Sequence, residues 1–248
     1  MSAPIIFYDI PNKSPTCKAW SPNTWKVRFA LNIKGLNYKT EWIEYPDIEA
    51  LYHKLNLPAK YFKKDGSSYY CLPVIHDPST NTTMLDSFDI IQYLDKTYPT
   101  TPPLITDELA PLHAAFVHAA LPTVQYQLWN IVTLAVSNHL NERSEEYYRR
   151  TREADKGKKL EDICTEKEWK ETEEGFGTVL KWLDRGGEGR ELFLGDKISF
   201  PDLQIVGWLL WAKVSLGEDS VGWERICGWH GGRWKKIHDR LTPFMKVV

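Results

Sequence analysis

Short apolar runs alternate with helical patterns of hydrophobic residues through the first hundred positions. Residues 4–9 form a compact apolar run that ends before Pro11, which predicts a β-strand. The apolar positions between Trp25 and Ile33 lie mostly on one helical face, and Gly35 follows where a helix would stop. A β-α unit is therefore predicted at the start of the chain.

The pattern continues with further strands and helices of ordinary length. Residues 38–45 predict a strand, and residues 48–57 predict a short helix before Pro58. Turn-forming residues separate two short apolar runs, which predicts a β-hairpin from 72 to 85. Residues 87–98 then carry apolar positions at helical spacing. The predicted order of elements is βαβαββα.

After residue 98 the composition changes, and the pattern becomes helical throughout. Prolines cluster between positions 99 and 111, which predicts a linker over 99–110. A long apolar segment follows, with Pro122 expected to kink it, and further helical patterns cover 179–183, 203–216 and 234–241. The fold class is therefore α/β plus all-α, with a first domain over 1–98 and a helical domain over 111–248.

Two features of the second half have structural interpretations. Residues 141–174 mix charges of both signs, and a run of this kind is more typical of a solvated helix face than of a binding patch. Ser199 and Asp202 stand at the spacing of a capping box, with Ile198 before them as a hydrophobic staple. Both features favour folded helices, and neither identifies a substrate.

Composition and charge exclude several classes of function. A chain of 248 residues with 42% hydrophobic content can bury a real core, and its net charge of −2 argues against a nucleic-acid partner. No apolar run is long enough to cross a membrane and no signal peptide is apparent, which predicts a soluble cytoplasmic protein. The four cysteines form no CxxC pair, so no metal site is expected.

The aromatic content is high, with 11 Trp, 12 Tyr and 9 Phe. Tryptophan and tyrosine bury large rings while keeping one polar group, so they serve both cores and pockets for flat ligands. Most of these residues are expected in the core, and the remainder could line a site.

Ser21 and Pro22 stand where the first helical pattern begins. A helix N-terminus presents unpaired N–H groups and about half a positive charge, so it stabilises an anion such as a thiolate. Proline suits the first helical position because its missing N–H is not needed there. Ser21 can equally be a simple N-cap, and these residues alone do not separate the two roles.

Pro73 opens a predicted strand, directly after Leu72. If the Leu72–Pro73 bond is cis, the turn presents the backbone N–H and C=O of Leu72 to a ligand as a strand would. Because about 5–6% of X–Pro bonds are cis, the sequence alone does not decide this point.

Asp86 and Ser87 precede another helical pattern. Together such a pair can hold the two charged groups of an α-amino acid. Asp86 would take the ammonium, while the Ser87 hydroxyl and the helix N–H groups would take the carboxylate. The same pair is also an ordinary helix cap.

Taken in order, these motifs resemble glutathione transferases, in which a thioredoxin-like first domain binds glutathione and a helical domain follows. The resemblance extends over nearly the whole chain. Segments 21–26, 30–36 and 141–153 look like the fungal-specific FuA class, which is related to the bacterial β-etherase-type transferases.

The resemblance implies a role for each motif. Ser21 matches the serine that activates the glutathione thiol, Leu72 and Pro73 the turn that pairs with the cysteinyl backbone, and Asp86 and Ser87 the clamp on the γ-glutamyl group. Many relatives carry Lys or Gln two residues before the proline to hold the glycine carboxylate. This chain has Cys71 there, so the substitute is predicted to be one of two lysines, Lys60 or Lys64.

Other residues near the first helix have secondary expectations. Asn23 is assigned to the glutathione site, and if Ser21 only caps the helix, the thiol would be activated by Asn23, Thr24 or the helix N–H groups. Cys17 precedes Ser21 closely, but a cysteine-type mechanism is less favoured than one assisted by the serine.

The implied function is transfer of glutathione to hydrophobic aromatic compounds, or reduction of such compounds or of peroxides. The predicted acceptor pocket is aromatic: Trp20, Trp25, Tyr126, Trp129 and Trp211. The alternative is a ligandin, which would sequester polyphenolic wood extractives with little turnover. The expected partners are glutathione, aromatic small molecules and a second copy of the chain in a homodimer.

Overall fold

A four-stranded mixed sheet organises the first half of the molecule. The computed structural model describes residues 3–15, 18–63 and 65–248. The strands are β1 (Ile5–Asp9), β2 (Tyr38–Trp42), β5 (Val74–Asp77) and β6 (Thr82–Leu85), in the order β2-β1-β5-β6. Strand β1 pairs in parallel with β2 and antiparallel with β5, and β5 pairs antiparallel with β6.

Helices α1 (Pro22–Ile33), α2 (Ile48–Lys54) and α3 (Ser87–Thr97) complete this half and give the predicted thioredoxin-like order. One element was not predicted: a hairpin of β3 (Tyr61–Phe62) and β4 (Ser68–Tyr69) inserted before β5. Each strand has two residues and β3 is exposed, so no alternation of polar and apolar positions marks the hairpin.

A buried ion pair joins β1 to α1. Arg28 Nη2 donates to Asp9 Oδ2 at 2.7 Å, and both side chains are fully buried. The guanidinium lies 4.9 Å from the ring centroid of Phe7 and 5.6 Å from that of Trp25, and it also donates to Thr40. The pair fixes the first helix on the sheet, and so fixes the start of that helix.

The second half is helical, as predicted. It contains α4 (Ala110–Ala120), α5 (Tyr126–His139), α6 (Glu142–Lys156), α7 (Glu166–Leu183), α8 (Phe200–Leu216) and α9 (Val221–Arg240), and α9 is interrupted by non-helical dihedrals from Trp229 to Gly232. The expected kink at Pro122 is a π-helical turn between α4 and α5, over Leu121–Gln125. Helix α7 passes close to this turn, because a Cβ added at Gly175 would lie 2.0 Å from the Thr123 carbonyl oxygen.

Helix α8 is almost entirely buried and packs on α1. A Cβ added at Gly207 would lie 3.1 Å from the Pro22 carbonyl oxygen, so glycine allows α8 to approach the start of α1. Asp202 accepts from the Ser199 N–H and from the Phe193 N–H, at 2.8 and 2.9 Å. The reach of Asp202 back to Ser199 is the predicted capping interaction, and burial raises the Asp202 pKa to about 6.

Helix α6 docks on the connection between β2 and α2. Glu44 accepts from the Asn141 amide at 2.7 Å and from the Ser144 hydroxyl, and Arg143 forms a bidentate pair with Asp47. The expectation of a solvated face is therefore correct for only part of α6, because Ser144 and Tyr148 are buried. None of the described helices combines the length and the hydrophobicity that a membrane-spanning segment needs.

Candidate functional site

Two adjoining cavities lie between the halves of the molecule. The first, here called the serine cavity, has a volume of about 360 Å³. Its walls come from the start of α1, the segment after β2, strand β4 and helices α5, α6 and α8: Trp20, Ser21, Pro22, Asn23, Tyr45, Tyr69, Gln125, Tyr126, Trp129, Tyr148, Arg152, Asp155, Lys156 and Trp211.

The second, here called the clamp cavity, has a volume of about 450 Å³. It contains two of the three predicted motifs of the first half, Leu72-Pro73 and Asp86-Ser87. Its full lining is Asn23, Lys26, Tyr61, Tyr69, Cys71, Leu72, Pro73, Asp86, Ser87, Phe88, Val117, Leu121, Gln125, Tyr126 and Phe200. Asn23, Tyr69, Gln125 and Tyr126 line both cavities. A single elongated ligand can therefore extend from one cavity into the other.

Ser21 lies at the N-cap position of α1, with Pro22 as the first helical residue. Its backbone is extended, and its carbonyl accepts from the Trp25 N–H at 3.0 Å, while its hydroxyl makes no capping hydrogen bond. The side chain lines the serine cavity. Because the hydroxyl does not cap the helix, it can donate to a ligand placed at the positive end of α1.

The two alternative donors differ in position. Asn23 lines both cavities. Thr24 is fully buried, and its hydroxyl donates to the Ser21 carbonyl at 3.1 Å. Thr24 is therefore excluded as a donor to a ligand, and Asn23 is not.

The Leu72–Pro73 peptide bond is cis. Strand β5 begins only at Val74, and neither the N–H nor the C=O of Leu72 forms a backbone–backbone hydrogen bond to a residue that the structure describes. Both groups therefore remain to pair with a peptide-like ligand in the clamp cavity.

Asp86 is held in an unusual backbone conformation at the start of α3, with φ of 75°. Its Oδ1 accepts from the Phe88 and Asp89 N–H groups at 2.9 and 3.3 Å, and the Tyr61 hydroxyl donates to its other oxygen. The carboxylate is thus oriented beside Ser87 at the wall of the clamp cavity. The unpredicted hairpin supplies Tyr61, which is why sequence reasoning missed this partner.

Lys60 does not fit its predicted role as the anchor of a glycine carboxylate. Its ammonium lies 2.5 Å from Asp89 Oδ2 and 3.9 Å from Asp86 Oδ1, and the side chain lines neither cavity. Its charge is therefore paired beside the residues assigned to the γ-glutamyl group. The other candidate, Lys64, lies outside the described residues, as does Cys17.

Two titratable groups lie deep in the clamp cavity. Burial, reinforced by the nearby Asp86 charge, raises the pKa of the Cys71 thiol to about 11, so this thiol is protonated near neutral pH. Burial also lowers the pKa of Lys26 to about 8, against the attraction of Asp86. Lys26 donates to Gln204 Oε1 at 3.2 Å. From the sequence, Cys71 was noted only as a departure from the family pattern, and Lys26 was assigned no role.

Four of the five predicted pocket aromatics line the serine cavity: Trp20, Tyr126, Trp129 and Trp211. Trp25 does not, because its ring is 2% exposed and packs 5.1 Å from Phe29 and beside Arg28 in the core. The prediction for Trp25 was wrong, because this residue lies on the face of α1 that packs into the core.

A group of tyrosines and cations in the serine cavity was also missed. Tyr148 is buried and Arg152 lies next on the same stripe of α6, with its guanidinium carbon 5.1 Å from the Tyr148 ring centroid. Lys156 lies one turn further, 4.6 Å from the Trp129 ring. The spacing of Ser144, Tyr148 and Arg152 by four residues was the available signal, and the surrounding charges obscured it.

Comparisons with known proteins agree with this arrangement. The family described as "Glutathione S-transferase, N-terminal domain" matches residues 20–97, and "Glutathione S-transferase, C-terminal domain" matches residues 111–244. The glutathione S-transferase-like protein ustS of Aspergillus flavus is 29% identical over 95% of this chain and 88% of its own length.

Two solved structures are similar over almost their whole length. Glutathione transferase GSTFuA3 from Phanerochaete chrysosporium is 43% identical with a TM-score of 0.97, and 100% of each chain is covered. The glutathione S-transferase CsGST63524 of Ceriporiopsis subvermispora, solved in complex with glutathione, is 46% identical with a TM-score of 0.95, and 99% of each chain is covered. These relatives confirm the predicted resemblance to the fungal FuA proteins. The chain therefore belongs to the glutathione S-transferase family, whose cosubstrate is glutathione.

Proposed function

We propose that this transferase activates glutathione with the Ser21 hydroxyl and conjugates it to hydrophobic aromatic acceptors in the serine cavity. The observation that carries the proposal is the position of Ser21, at the start of α1, facing a cavity without a capping bond of its own. A hydroxyl in this position favours a thiolate, because it donates to the anion and because the helix N-terminus is positive.

The clamp cavity supports one orientation of glutathione. Asp86 and Ser87 would bind the charged groups of the γ-glutamyl end, and the backbone of Leu72 would pair with the cysteinyl residue. The residues shared by the two cavities would then allow the cysteinyl sulfur to approach Ser21. The glycine end would extend towards Tyr69 and the wall of the serine cavity.

The chemistry required of the protein is modest. A free thiol has a pKa of ~8.5, so only a few per cent is ionised near neutral pH. Ser21 would stabilise the thiolate after its proton leaves to solvent. The sulfur would then form a bond to an electrophilic carbon while the leaving group departs with the electron pair of the bond that breaks. Trp129, Trp211 and Tyr126 would hold the ring of the acceptor.

Calorimetric titration with glutathione tests the clamp. Replacing Asp86 by Ala is expected to weaken binding about ten- to a hundred-fold, because a charge-assisted contact to the ligand ammonium is lost. Asp89→Asn is the matched control, since Asp89 also pairs with Lys60 but lines neither cavity. Equal affinity in the Asp86 variant and the wild type would remove Asp86 from the site.

The ligandin alternative is favoured by the aromatic walls of the serine cavity. Sequestration of polyphenols needs the same aromatic surface as catalysis, but it needs no thiolate. Initial rates with a panel of electrophiles and peroxides, set beside polyphenol affinities with and without glutathione, separate the two functions. Tight binding without turnover of any acceptor would favour the ligandin.

A cytoplasmic location is proposed, as the sequence predicts. The chain is also proposed to form a homodimer. Exposed apolar side chains support a second copy as the partner: Phe62 of the inserted hairpin and Leu112 of α4 are 66% and 65% exposed. Light scattering is expected to give about twice the chain mass of 28.8 kDa. A mass equal to that of one chain at micromolar concentration would contradict the dimer.

A further inference from the structure

Arg152 is a mostly buried cation at the wall of the serine cavity. Its side chain is 17% exposed. The carboxylate nearest to it in the described residues belongs to Asp155, which lies 4.0 Å away and is 72% exposed. A guanidinium removed from water normally has a carboxylate or phosphate partner, because its desolvation is costly. Arg152 has no such partner at comparable depth.

The groups that surround Arg152 are neutral hydrogen-bonding aromatics. Burial opposes its charge, but interactions with Tyr45, Tyr69 and Tyr148 outweigh this and raise the pKa of Arg152 above its ordinary value. The other charged groups at the cavity wall are Asp155 and Lys156, so this wall of α6 carries a net positive charge. The guanidinium is therefore kept charged without being neutralised.

The position of Arg152 is fixed by the fold. Tyr45 packs on Tyr148 with ring centroids 5.7 Å apart, and Tyr45 also lies 6.2 Å from Trp20 beside Ser21. The docking of Ser144 on Glu44 holds the same stripe of α6 against the first half of the molecule. The cation is therefore held in place before any ligand arrives, which favours recognition of an anion.

We propose that Arg152 binds a second carboxylate in this active site, apart from the γ-glutamyl one, acting together with the hydroxyls of Tyr45 and Tyr69. This assignment rests on the proposed function, because the carboxylate belongs either to the glycine end of glutathione or to the acceptor. Tyr69 lines both cavities, so a carboxylate at Arg152 is reachable from glutathione bound in the clamp cavity. The planar guanidinium matches a carboxylate with two parallel hydrogen bonds.

The test compares Arg152→Met and Arg152→Lys with the wild type. Arg150→Met is the matched control, because Arg150 lies exposed on the same helix, 5.5 Å from the Tyr147 ring, and lines neither cavity. Calorimetry measures the affinity for glutathione and for its glycinamide analogue, in which an amide replaces the glycine carboxylate. Initial rates measure kcat/KM for a pair of electrophiles of one scaffold, one with a carboxylate and one with a neutral ester.

If the glycine end binds Arg152, Arg152→Met weakens glutathione binding about ten- to a hundred-fold and leaves the affinity for the analogue unchanged. If the acceptor supplies the carboxylate, glutathione affinity is unchanged and kcat/KM falls by a similar factor for the carboxylated electrophile alone. Arg152→Lys recovers part of either loss.

The proposal is overturned if Arg152→Met matches the wild type in all four measurements. Failure of the proposed function would be distinct, since the wild type itself would then neither bind glutathione nor turn over the neutral electrophile.

Discussion

Each half of the molecule holds an arginine that is largely removed from water, and the two arginines have opposite surroundings. Arg28, beneath the sheet, is fully buried and donates to an equally buried Asp9 at 2.7 Å. Arg152, on α6, is surrounded by tyrosines, and its nearest carboxylate among the described residues lies 4.0 Å away at the surface. The first guanidinium is enclosed in the core, and the second lies at the wall of a cavity.

This difference separates a structural charge from a binding charge. Removing one partner of a buried ion pair leaves the other charge unpaired in a low-dielectric core, so such pairs are costly to break. A buried charge without a buried counterion makes no comparable contribution to folding. Neighbouring tyrosines offset its desolvation, and an anionic ligand would supply the missing counterion. Substitutions in the Arg28–Asp9 pair should therefore mainly reduce stability. Substitutions of Arg152 should mainly reduce ligand affinity.

The largest effect is expected at the paired arginine. Asp9→Ala should lower the free energy of unfolding by about 3–5 kcal/mol, because it leaves Arg28 buried and uncompensated. Arg152→Met should change stability by no more than about 1 kcal/mol, since it replaces an unneutralised charge by an apolar chain of similar length. Denaturant unfolding at neutral pH measures both. A loss at Arg152 as large as that at Asp9 would contradict the distinction.

Lys26 extends the comparison to a third buried cation, whose partner is the amide of Gln204. Its pKa in the folded state is lowered from 10.5 to about 8, so between these values the unfolded chain binds more protons. Stability therefore rises with pH across this window and is lowest below pH 8, where both states are protonated. The full rise would be roughly 3 kcal/mol, at one pKa unit per 1.36 kcal/mol.

Lys26→Met should remove this rise and stabilise the protein near neutral pH. Denaturant unfolding of the variant and the wild type at pH values on either side of the window measures the effect. Lys54→Met, at an exposed position of α2, is the control and should retain the rise. If the stability of the wild type falls between pH 8 and pH 10.5 and that of the Lys26 variant falls equally, Lys26 does not control the pH dependence of stability.

Most of the fold could be predicted from the sequence, because its regular elements carry strong periodic patterns and specific end signals. Pro22, Gly35 and the Ser199–Asp202 spacing each mark a helix end by local chemistry. The β3–β4 hairpin could not be predicted in this way, because its strands are too short to show a period. The hairpin supplies Tyr61 and Tyr69, so missing it also obscured one side of the site.

The candidate site was predictable where a residue follows a turn or begins a helix, as Ser21, Leu72 and Asp86 do. The cavity that Arg152 and Lys26 meet was not predictable, because the position of each depends on a contact between the two halves. Arg152 depends on the docking of α6, and Lys26 depends on the close approach of α8 at Gly207. Sequence periodicity assigns a residue to a face of its helix, but tertiary packing decides which cavity that face meets.

The role of Ser21 is tested by the pKa of the thiol of glutathione bound to the wild type and to Ser21→Ala, followed by ultraviolet absorbance of the thiolate. A hydrogen bond to a charged group is worth ~1.5–3 kcal/mol, so the substitution is expected to raise the bound thiol pKa by roughly one to two units. Conjugation should slow near neutral pH and recover at alkaline pH. If the two titration curves coincide while the melting temperature falls, Ser21 is only a helix cap and the proposed activation of glutathione is contradicted.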